Sequence, residues 1–164
     1  MKLEFDRFFD AFLYKVTSFD FASMDEADFY AQVKHYLFAA CSEFEKVFRS
    51  RTGLSFTDRD EEAGCFNWEL PVLVTTGGME DIISADEVVD IVSDGMVIRW
   101  LNSFLFSGDS LDLGNFLQTK DFQPYSPANF LSSLRGLHAS TVDRYRMLIN
   151  DFSFNHGELN TLHL

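Results

Sequence analysis

The chain has little of the chemistry that builds disulfides, metal sites or membrane spans. Its two cysteines, Cys41 and Cys65, form neither a CxxC pair nor a metal-type cluster. Both are therefore expected to be reduced thiols, as in a cytosolic protein. No stretch approaches the roughly 18 apolar residues of a membrane-spanning helix. The first residues also lack the basic-then-apolar order of a signal peptide, so neither feature is expected.

Basic side chains are scarce. There are 13 Lys and Arg residues against 26 Asp and Glu residues, which gives a formal net charge of −13. Tight binding to duplex DNA or to an anionic membrane depends on Lys and Arg, so the balance argues against both. Two interpretations of the acidity remain: it keeps the chain soluble, or it repels or imitates nucleic acid.

Sequence motifs for enzymatic chemistry are also missing. There is no Gly-rich phosphate loop, no HExxH, no nucleophile elbow and no dinucleotide fingerprint. The four histidines are widely spread, at His35, His138, His156 and His163. We therefore predict that the chain is not an enzyme and has no catalytic residue, cofactor or bound metal. A Ser–His–Asp set assembled from distant positions is the enzymatic alternative.

The residues that are abundant describe a globular domain. Hydrophobic residues make up 46% of the chain and charged residues 24%, and Phe occurs 19 times. An aromatic-rich core and aromatic contacts between subunits both explain so much Phe. We predict a single helical domain over residues 1–154. Residues 155–164 carry little pattern and are predicted to be a tail that becomes ordered when a partner binds.

Four segments place apolar residues at the i, i+3, i+4 spacing of an amphipathic helix. They cover residues 3–17, 24–49, 86–103 and 127–153. Capping boxes begin the second and third segments, and a Ser-Pro pair begins the fourth. These signals predict a mostly α fold, an antiparallel bundle of about four helices with a projecting loop or short β-hairpin at about 54–83.

The predicted helix over residues 86–103 is apolar around most of its circumference. Such a helix lies either at the centre of a fold or in an interface. Gly95 interrupts it at a cost of about 1 kcal/mol relative to Ala. A glycine at this position indicates close contact between two helices.

A charged run at residues 58–62 lies between two short extended segments, which predicts an acidic turn. Four acids match the first, third, fifth and twelfth positions of a calcium-binding EF-hand loop: Asp58, Asp60, Glu62 and Glu69. The glycine of the sharp turn comes one residue late, at Gly64. The segment after the run resembles a strand and not a helix. A solvated acidic turn is therefore the favoured interpretation, with a calcium loop as the alternative.

Four blocks in this order resemble one protein family: Thr57-Asp-Arg-Asp-Glu-Glu, Phe66-Asn67-x-x-Leu70, Gly95-Met-Val-Ile-Arg-Trp-Leu101 and Gln118-Thr-Lys-Asp-Phe-x-x-Tyr-Ser126, followed by a long terminal helix. The family comprises the small neck, or head-to-tail adaptor, proteins of tailed bacteriophages of Gram-positive hosts. The resemblance covers about residues 24–155. This chain departs from the family in a longer connection, about 71–83, between the second and third blocks.

The resemblance implies a structural virion protein. It implies a homo-oligomeric ring, usually a dodecamer, that binds the portal protein on one side and a downstream neck or tail protein on the other. Genomic DNA passes through such a ring without specific binding, and no membrane is involved. The implied location is the virion neck, after assembly in the host cytoplasm. An acidic channel wall repels the phosphates of DNA, which gives the charge of this chain a role.

Two groups of residues are expected to matter for assembly. The expected interface residues are Phe66, Trp68, Met96, Trp100, Phe122, Tyr125 and Phe152, and the expected channel or loop acids are Asp58, Asp60, Glu61 and Glu62. Two alternative functions remain. An acidic DNA mimic that inhibits a DNA-binding host enzyme needs carboxylates along one surface at phosphate spacing. A head-closure or tail-completion protein is more typically a β-barrel than a helical chain.

Overall fold

The structure, a computed structural model, describes residues 2–16, 24–52, 56, 58–67, 72–74, 80–106 and 127–156. Four helices dominate this part of the chain: α1 Phe5–Lys15, α2 Glu26–Thr52, α3 Ala85–Phe106 and α4 Pro127–His156. The prediction of a mostly helical fold with about four helices is confirmed. Helix α4 continues through His156, so the first two residues of the predicted tail are helical. Residues 157–164 lie outside the described residues.

Short strands complete the fold. Strands β1 Lys2–Glu4, β2 Arg59–Asp60 and β3 Cys65–Asn67 form an antiparallel sheet in the order β1-β3-β2. Strands β4 Val72–Val74 and β5 Glu80–Ile82 form a separate antiparallel pair. The short β element predicted at about 54–83 is therefore confirmed, and its acidic turn joins β2 to β3.

The start of the chain differs from its prediction. The helix predicted over 3–17 begins only at Phe5, because residues 2–4 form β1 and pair with β3. Leu3 lies opposite Phe66, and both side chains are buried. Pairing between strands so far apart in sequence leaves no trace in local periodicity, and Leu3 satisfies a helical stripe and a buried strand equally well.

Helix α3 is the centre of the bundle, with α1, α2 and α4 packed around it. Its buried side chains include Val88, Ile91, Val92, Met96 and Leu101. The neighbouring helices therefore account for its apolar circumference, and no second subunit is needed to cover it. The sequence left two alternatives, a central helix or an interface helix, and the structure decides for the first.

Contacts between side chains show how the helices run. Tyr36 and Glu43 of α2 contact Ser103 and Arg99 of α3, so residue numbers rise on one helix as they fall on the other. Arg144 and His156 of α4 contact Asp94 and Glu87 of α3 in the same reversed order. Both α2 and α4 are thus antiparallel to α3.

Phenylalanine fills the core where the sheet meets the helices. The Phe66 ring centroid lies 4.8 Å from Phe5, 5.8 Å from Phe8 and 5.2 Å from Phe56, all in edge-on arrangements. Further edge-on contacts extend this aromatic cluster through α2 to α4: Phe38–Phe66, Phe44–Phe56 and Phe44–Phe152. Much of the unusual Phe content therefore serves the interior of a single chain.

Candidate functional site

A charged cluster joins three helices beneath the surface. Lys15, the last residue of α1, places its Nζ 2.7 Å from Oδ1 of Asp94, and the Asp94 side chain is only 3% exposed. The same ammonium donates to Asp90 Oδ1 at 2.5 Å and to Ser93 Oγ at 2.8 Å. Arg144 of α4 brings its Nε to 3.0 Å from Asp94 Oδ2. Asp94 thus connects α1 and α4 to the central helix.

The two contacts to Asp94 differ in kind. Lys15 is largely buried, and its short ion pair to Asp94 is shielded from water. The Arg144 side chain is 55% exposed, and its N–H is not aligned with Asp94 Oδ2 for a hydrogen bond. That contact is an electrostatic one that water screens. The Lys15–Asp94 pair therefore carries most of the electrostatic stabilisation in the cluster.

One position lets three helices meet closely. A Cβ placed on Gly95 of α3 would lie 3.1 Å from Ala40 Cβ of α2 and 3.4 Å from Tyr145 Cε2 of α4. The prediction that Gly95 serves close helix contact is confirmed, because a side chain there would crowd Ala40 of α2 and touch Tyr145 of α4.

Alanine at Gly95 is expected to lower the free energy of unfolding by about 1 kcal/mol. Crowding in a packed core costs roughly 1–3 kcal/mol, which outweighs the gain of about 1 kcal/mol in helix propensity. Gly136 of α4 is the matched control, since nothing lies within 4 Å of its added Cβ. Gly136→Ala should raise stability by about 0.5–1 kcal/mol. Equal stabilisation by the two substitutions in urea unfolding would contradict the close approach at Gly95.

Tyr145 and Cys41 lie against this crossing point and are both buried. Burial raises the pKa of the Tyr145 hydroxyl well above its ordinary value, and the nearby Glu43 carboxylate raises it further. Burial likewise raises the pKa of the Cys41 thiol, with Glu45 adding to the effect. Among the described residues, the Tyr145 hydroxyl has no hydrogen-bond partner. Both groups stay protonated, which suits a structural role.

Tyr145→Phe is expected to raise stability by about 1 kcal/mol at pH 7, because it removes a buried hydroxyl without a protein partner. The advantage should grow above about pH 10. There the unfolded tyrosine loses its proton while the folded one keeps it, so the parent chain loses stability as pH rises. Urea unfolding at pH 7 and above pH 10 tests this. Tyr14→Phe, at a side chain 92% exposed, should leave the free energy of unfolding unchanged at both pH values. A loss above about 1 kcal/mol at pH 7 would show that the hydroxyl is bonded.

The acidic turn between β2 and β3 is a capped turn. Asp60 Oδ1 accepts hydrogen bonds from the backbone N–H groups of Glu62 at 3.1 Å and Ala63 at 2.9 Å. Gly64 follows with a φ of 65°, a left-handed conformation that glycine adopts without strain. Asp58, Glu61 and Glu62 remain exposed. The described residues that follow are strands β3 and β4 and include no helix such as an EF-hand requires, so the solvated acidic turn describes this segment.

Helix α4 is unevenly covered. Its second half buries Tyr145 and Phe152, while no described side chain between Leu131 and Arg144 is buried. In that first half, Leu131, Leu134 and Val142 are half-buried, and Leu137 is 52% exposed. Met147 and Phe154, seven residues apart and 62% and 72% exposed, lie on the outer face. The helix therefore presents apolar surface that the described chain does not cover.

The structure distributes the expected interface residues between core and surface. Phe66, Met96 and Phe152 are fully buried in the chain's own core and offer no surface to a partner in this conformation. Trp100 is half-buried against the same core. Trp68, Phe122 and Tyr125 lie outside the described residues. A role for these seven residues in an interface stays a prediction.

Sequence reasoning missed the charged cluster around Asp94. A signal was present, since Asp94 is a carboxylate within the mostly apolar stretch 91–98 of the helix, where it needs a cationic partner. The partners could not be chosen, because Lys15 and Arg144 lie far away in sequence. Sequence reasoning likewise did not show that Leu137 and Phe106, which is 84% exposed, stand out from the bundle.

Three further observations limit the chemistry of the described part of the chain. No group of three or more His, Cys, Asp or Glu side chains there is placed to share a metal ion. None of its helices combines the length and apolarity needed to cross a bilayer. Cys41 and Cys65 are both buried free thiols.

Comparisons of the chain with protein-family models, with curated proteins and with solved structures found no match. The resemblance to neck adaptor proteins therefore depends on the four sequence blocks alone.

Proposed function

We propose that the chain is a structural subunit of the head–tail neck of a tailed bacteriophage. Copies assemble into a ring that joins the portal protein to a downstream neck or tail protein and lines the channel for DNA. The subunit has no enzymatic activity and holds no cofactor. The observation that carries the proposal is the uncovered first half of α4, together with the four sequence blocks.

The first half of α4 supports assembly because the described residues cover its apolar side chains only in part: Leu134 packs against the core, whereas Leu137 is 52% exposed. The helix has 30 residues, so it is roughly 45 Å long. Its first half keeps a helical apolar stripe at Leu131, Leu134 and Val142, yet none of these is buried. An amphipathic helix gains most of its stability by packing that stripe against another surface. A neighbouring copy or the portal supplies such a surface in a ring.

The helical fold favours an adaptor over a head-closure or tail-completion protein, for which a β-barrel is more typical. The acidic turn also argues against a DNA mimic. Asp60 caps its own turn, and the dense run of acids is confined to residues 58–62. A mimic needs a row of free carboxylates along one surface.

The acidity of the chain suits a channel. Each copy carries a formal net charge of −13, and a ring multiplies this charge around a central opening. Negative walls repel phosphate groups, so DNA slides through without binding. Salt at physiological ionic strength limits the repulsion to about 8 Å from the wall.

Native mass measurement and particle imaging, on the chain alone and with the portal protein, test the proposal. The expected result is a closed ring, alone or on the portal. Leu137→Asp should weaken assembly and leave the fold intact, because it places a charge on the uncovered stripe. Tyr14→Asp on α1 is the matched control, an equally drastic change at an exposed apolar site. A strict monomer under both conditions would overturn the ring. If that monomer inhibited a DNA-binding enzyme, the mimic would replace it.

A further inference from the structure

Two surfaces of opposite charge stand out on an otherwise acidic chain. The first, here the acidic turn, consists of the exposed carboxylates Asp58, just before β2, and Glu61 and Glu62, between β2 and β3. Asp58 also accepts from the Asn67 side-chain amide at 3.3 Å, and Glu61 pairs with Arg59 at 2.9 Å, so both stay exposed with one partner each. The second, here the basic flank, consists of Arg135 and Arg146 on α4. Helix α4 carries three arginines and two aspartates, which makes it the only one of the four described helices with net positive charge.

The basic flank is an ordered surface. Arg135 and Arg146 lie about three helical turns apart, so they share one side of α4 at a separation of roughly 16 Å. Both are exposed, and Arg146 is 73% exposed. Its one ion pair among the described residues is a long contact of 3.9 Å to Asp143. No ion pair joins Arg135 to any described residue. Exposed Ala139 lies between them and leaves the flank sterically open.

The acidic turn is exposed and is held in place by hydrogen bonds. The two bonds accepted by Asp60 fix the turn itself. The N–H of Phe5 donates to the carbonyl of Gly64 at 2.8 Å, which ties the turn to the start of α1. The start of α1 is in turn joined to the start of α3 by the Arg7–Asp86 ion pair. The acidic turn therefore lies near the end of the bundle where α3 begins.

The basic flank extends toward the opposite end. His156 contacts Glu87, so α4 finishes near the start of α3. Arg135 is therefore roughly 30 Å from that end along the helix axis, and Arg146 roughly 15 Å. The acidic turn and Arg135 cannot meet within one chain. Two different complementary patches on one molecule define a head-to-tail contact, which repeats from copy to copy and gives a ring when the rotation between copies closes.

We infer that the acidic turn of one copy docks on the basic flank of α4 in the next copy. The inference rests on the proposed ring, for which it names the contact between subunits. Charge pairs at such a contact set its register and its partner more than its strength. The apolar surface of α4, with Leu137 and Met147, supplies contact area beside the arginines.

A pair of charge-reversed variants tests the contact. The first carries Glu61→Lys and Glu62→Lys, the second Arg135→Glu and Arg146→Glu. Each alone sets like charges against each other and should self-associate at least tenfold more weakly than the parent chain. Mixed in equal amounts, the two variants can alternate. The lysine turn of the first variant fits the glutamate flank of the second, and the unchanged acidic turn of the second fits the unchanged basic flank of the first. Native mass measurement of the mixture should show assembly within about threefold of the parent.

Controls separate folding from docking. Asp10→Lys with Asp151→Lys makes the same change in net charge as the Glu61→Lys, Glu62→Lys variant, at exposed positions outside both patches, and it should assemble like the parent chain. Melting curves show whether each variant folds. If a reversed pair does not fold, the neutral pairs Glu61→Gln with Glu62→Gln and Arg135→Gln with Arg146→Gln take its place, each expected to weaken association severalfold.

The outcomes distinguish this contact from the ring itself. If the parent chain forms a ring and both charge-reversed variants assemble equally well, the proposed contact is wrong and the proposed ring is retained. Loss of assembly in both variants, without recovery on mixing, would also overturn the contact, because the two patches would not be partners. A parent chain that stays monomeric with and without the portal would overturn the ring, and the contact with it.

Discussion

Phe66→Ala is expected to lower the free energy of unfolding by about 3–5 kcal/mol. The Phe66 side chain is fully buried. Its ring contacts Phe5 and Phe8 on α1 and Phe56 in the segment before β2. Truncation leaves a cavity that rings fixed to two separate segments cannot close. The loss is a large part of the roughly 5–15 kcal/mol that stabilises an ordinary domain.

Urea unfolding followed by circular dichroism measures this loss. Phe106→Ala is the matched control, because Phe106 is 84% exposed and its truncation should change stability by less than about 0.5 kcal/mol. The pair also separates the two roles considered for Phe66. If Phe66→Ala kept the parent stability but changed assembly, the Phe66 side chain would lie in an interface between subunits and not in the core.

Asp94→Ala should cost about 3 kcal/mol. Removing one partner of a buried ion pair leaves the other charge without compensation, which typically costs 3–5 kcal/mol. The lower end applies here, because the Lys15 side chain is still 17% exposed and keeps Asp90 as a partner. Arg144 is more than half exposed and regains water readily. Weaker attachment of the C-terminal end of α1 to α3 is the expected structural consequence, because the Arg7–Asp86 ion pair and the buried Phe8 still hold the rest of α1.

Asp90→Ala provides the comparison, since Asp90 binds the same lysine but is 49% exposed. Its loss should cost under about 1 kcal/mol, the range of surface ion pairs. A double-mutant cycle with Lys15→Met measures the Lys15–Asp94 coupling directly. A change below about 0.5 kcal/mol for Asp94→Ala would show that the carboxylate is better hydrated than its burial indicates.

The fold could be predicted wherever the signal was local. The capping box at Ser84–Glu87 and the periodic apolar residues after it placed α3 within one to three residues of its observed ends. Gly95 was recognised as a contact position because glycine inside a helix needs a compensating reason. The acidic turn followed from a charged run ahead of Gly64, between two extended segments. Each of these signals is contained in a few neighbouring residues.

The candidate surfaces could be predicted only in part. Phe66, Met96 and Phe152 looked equally suited to a core or to an interface, because the hydrophobic effect does not distinguish which surface covers an aromatic ring. The sequence did not indicate the two arginines of the basic flank as a surface, because the net charge of the chain is −13 and no local pattern marks them. Their exposure depends on which side of α4 packs against α3.

By itself, the sequence determined the helical class, the positions of the four helices, the acidic turn and the acidity of the chain. These follow from periodicity, capping and composition, which act over short stretches of chain. Tertiary structure alone decided that β1 replaces the first turn of a helix, that α3 is covered by its own chain, and that Asp94 pairs with Lys15. It also decided that the described residues cover the first half of α4 only in part. These features depend on contacts between segments far apart in sequence, whose free energies no local pattern records.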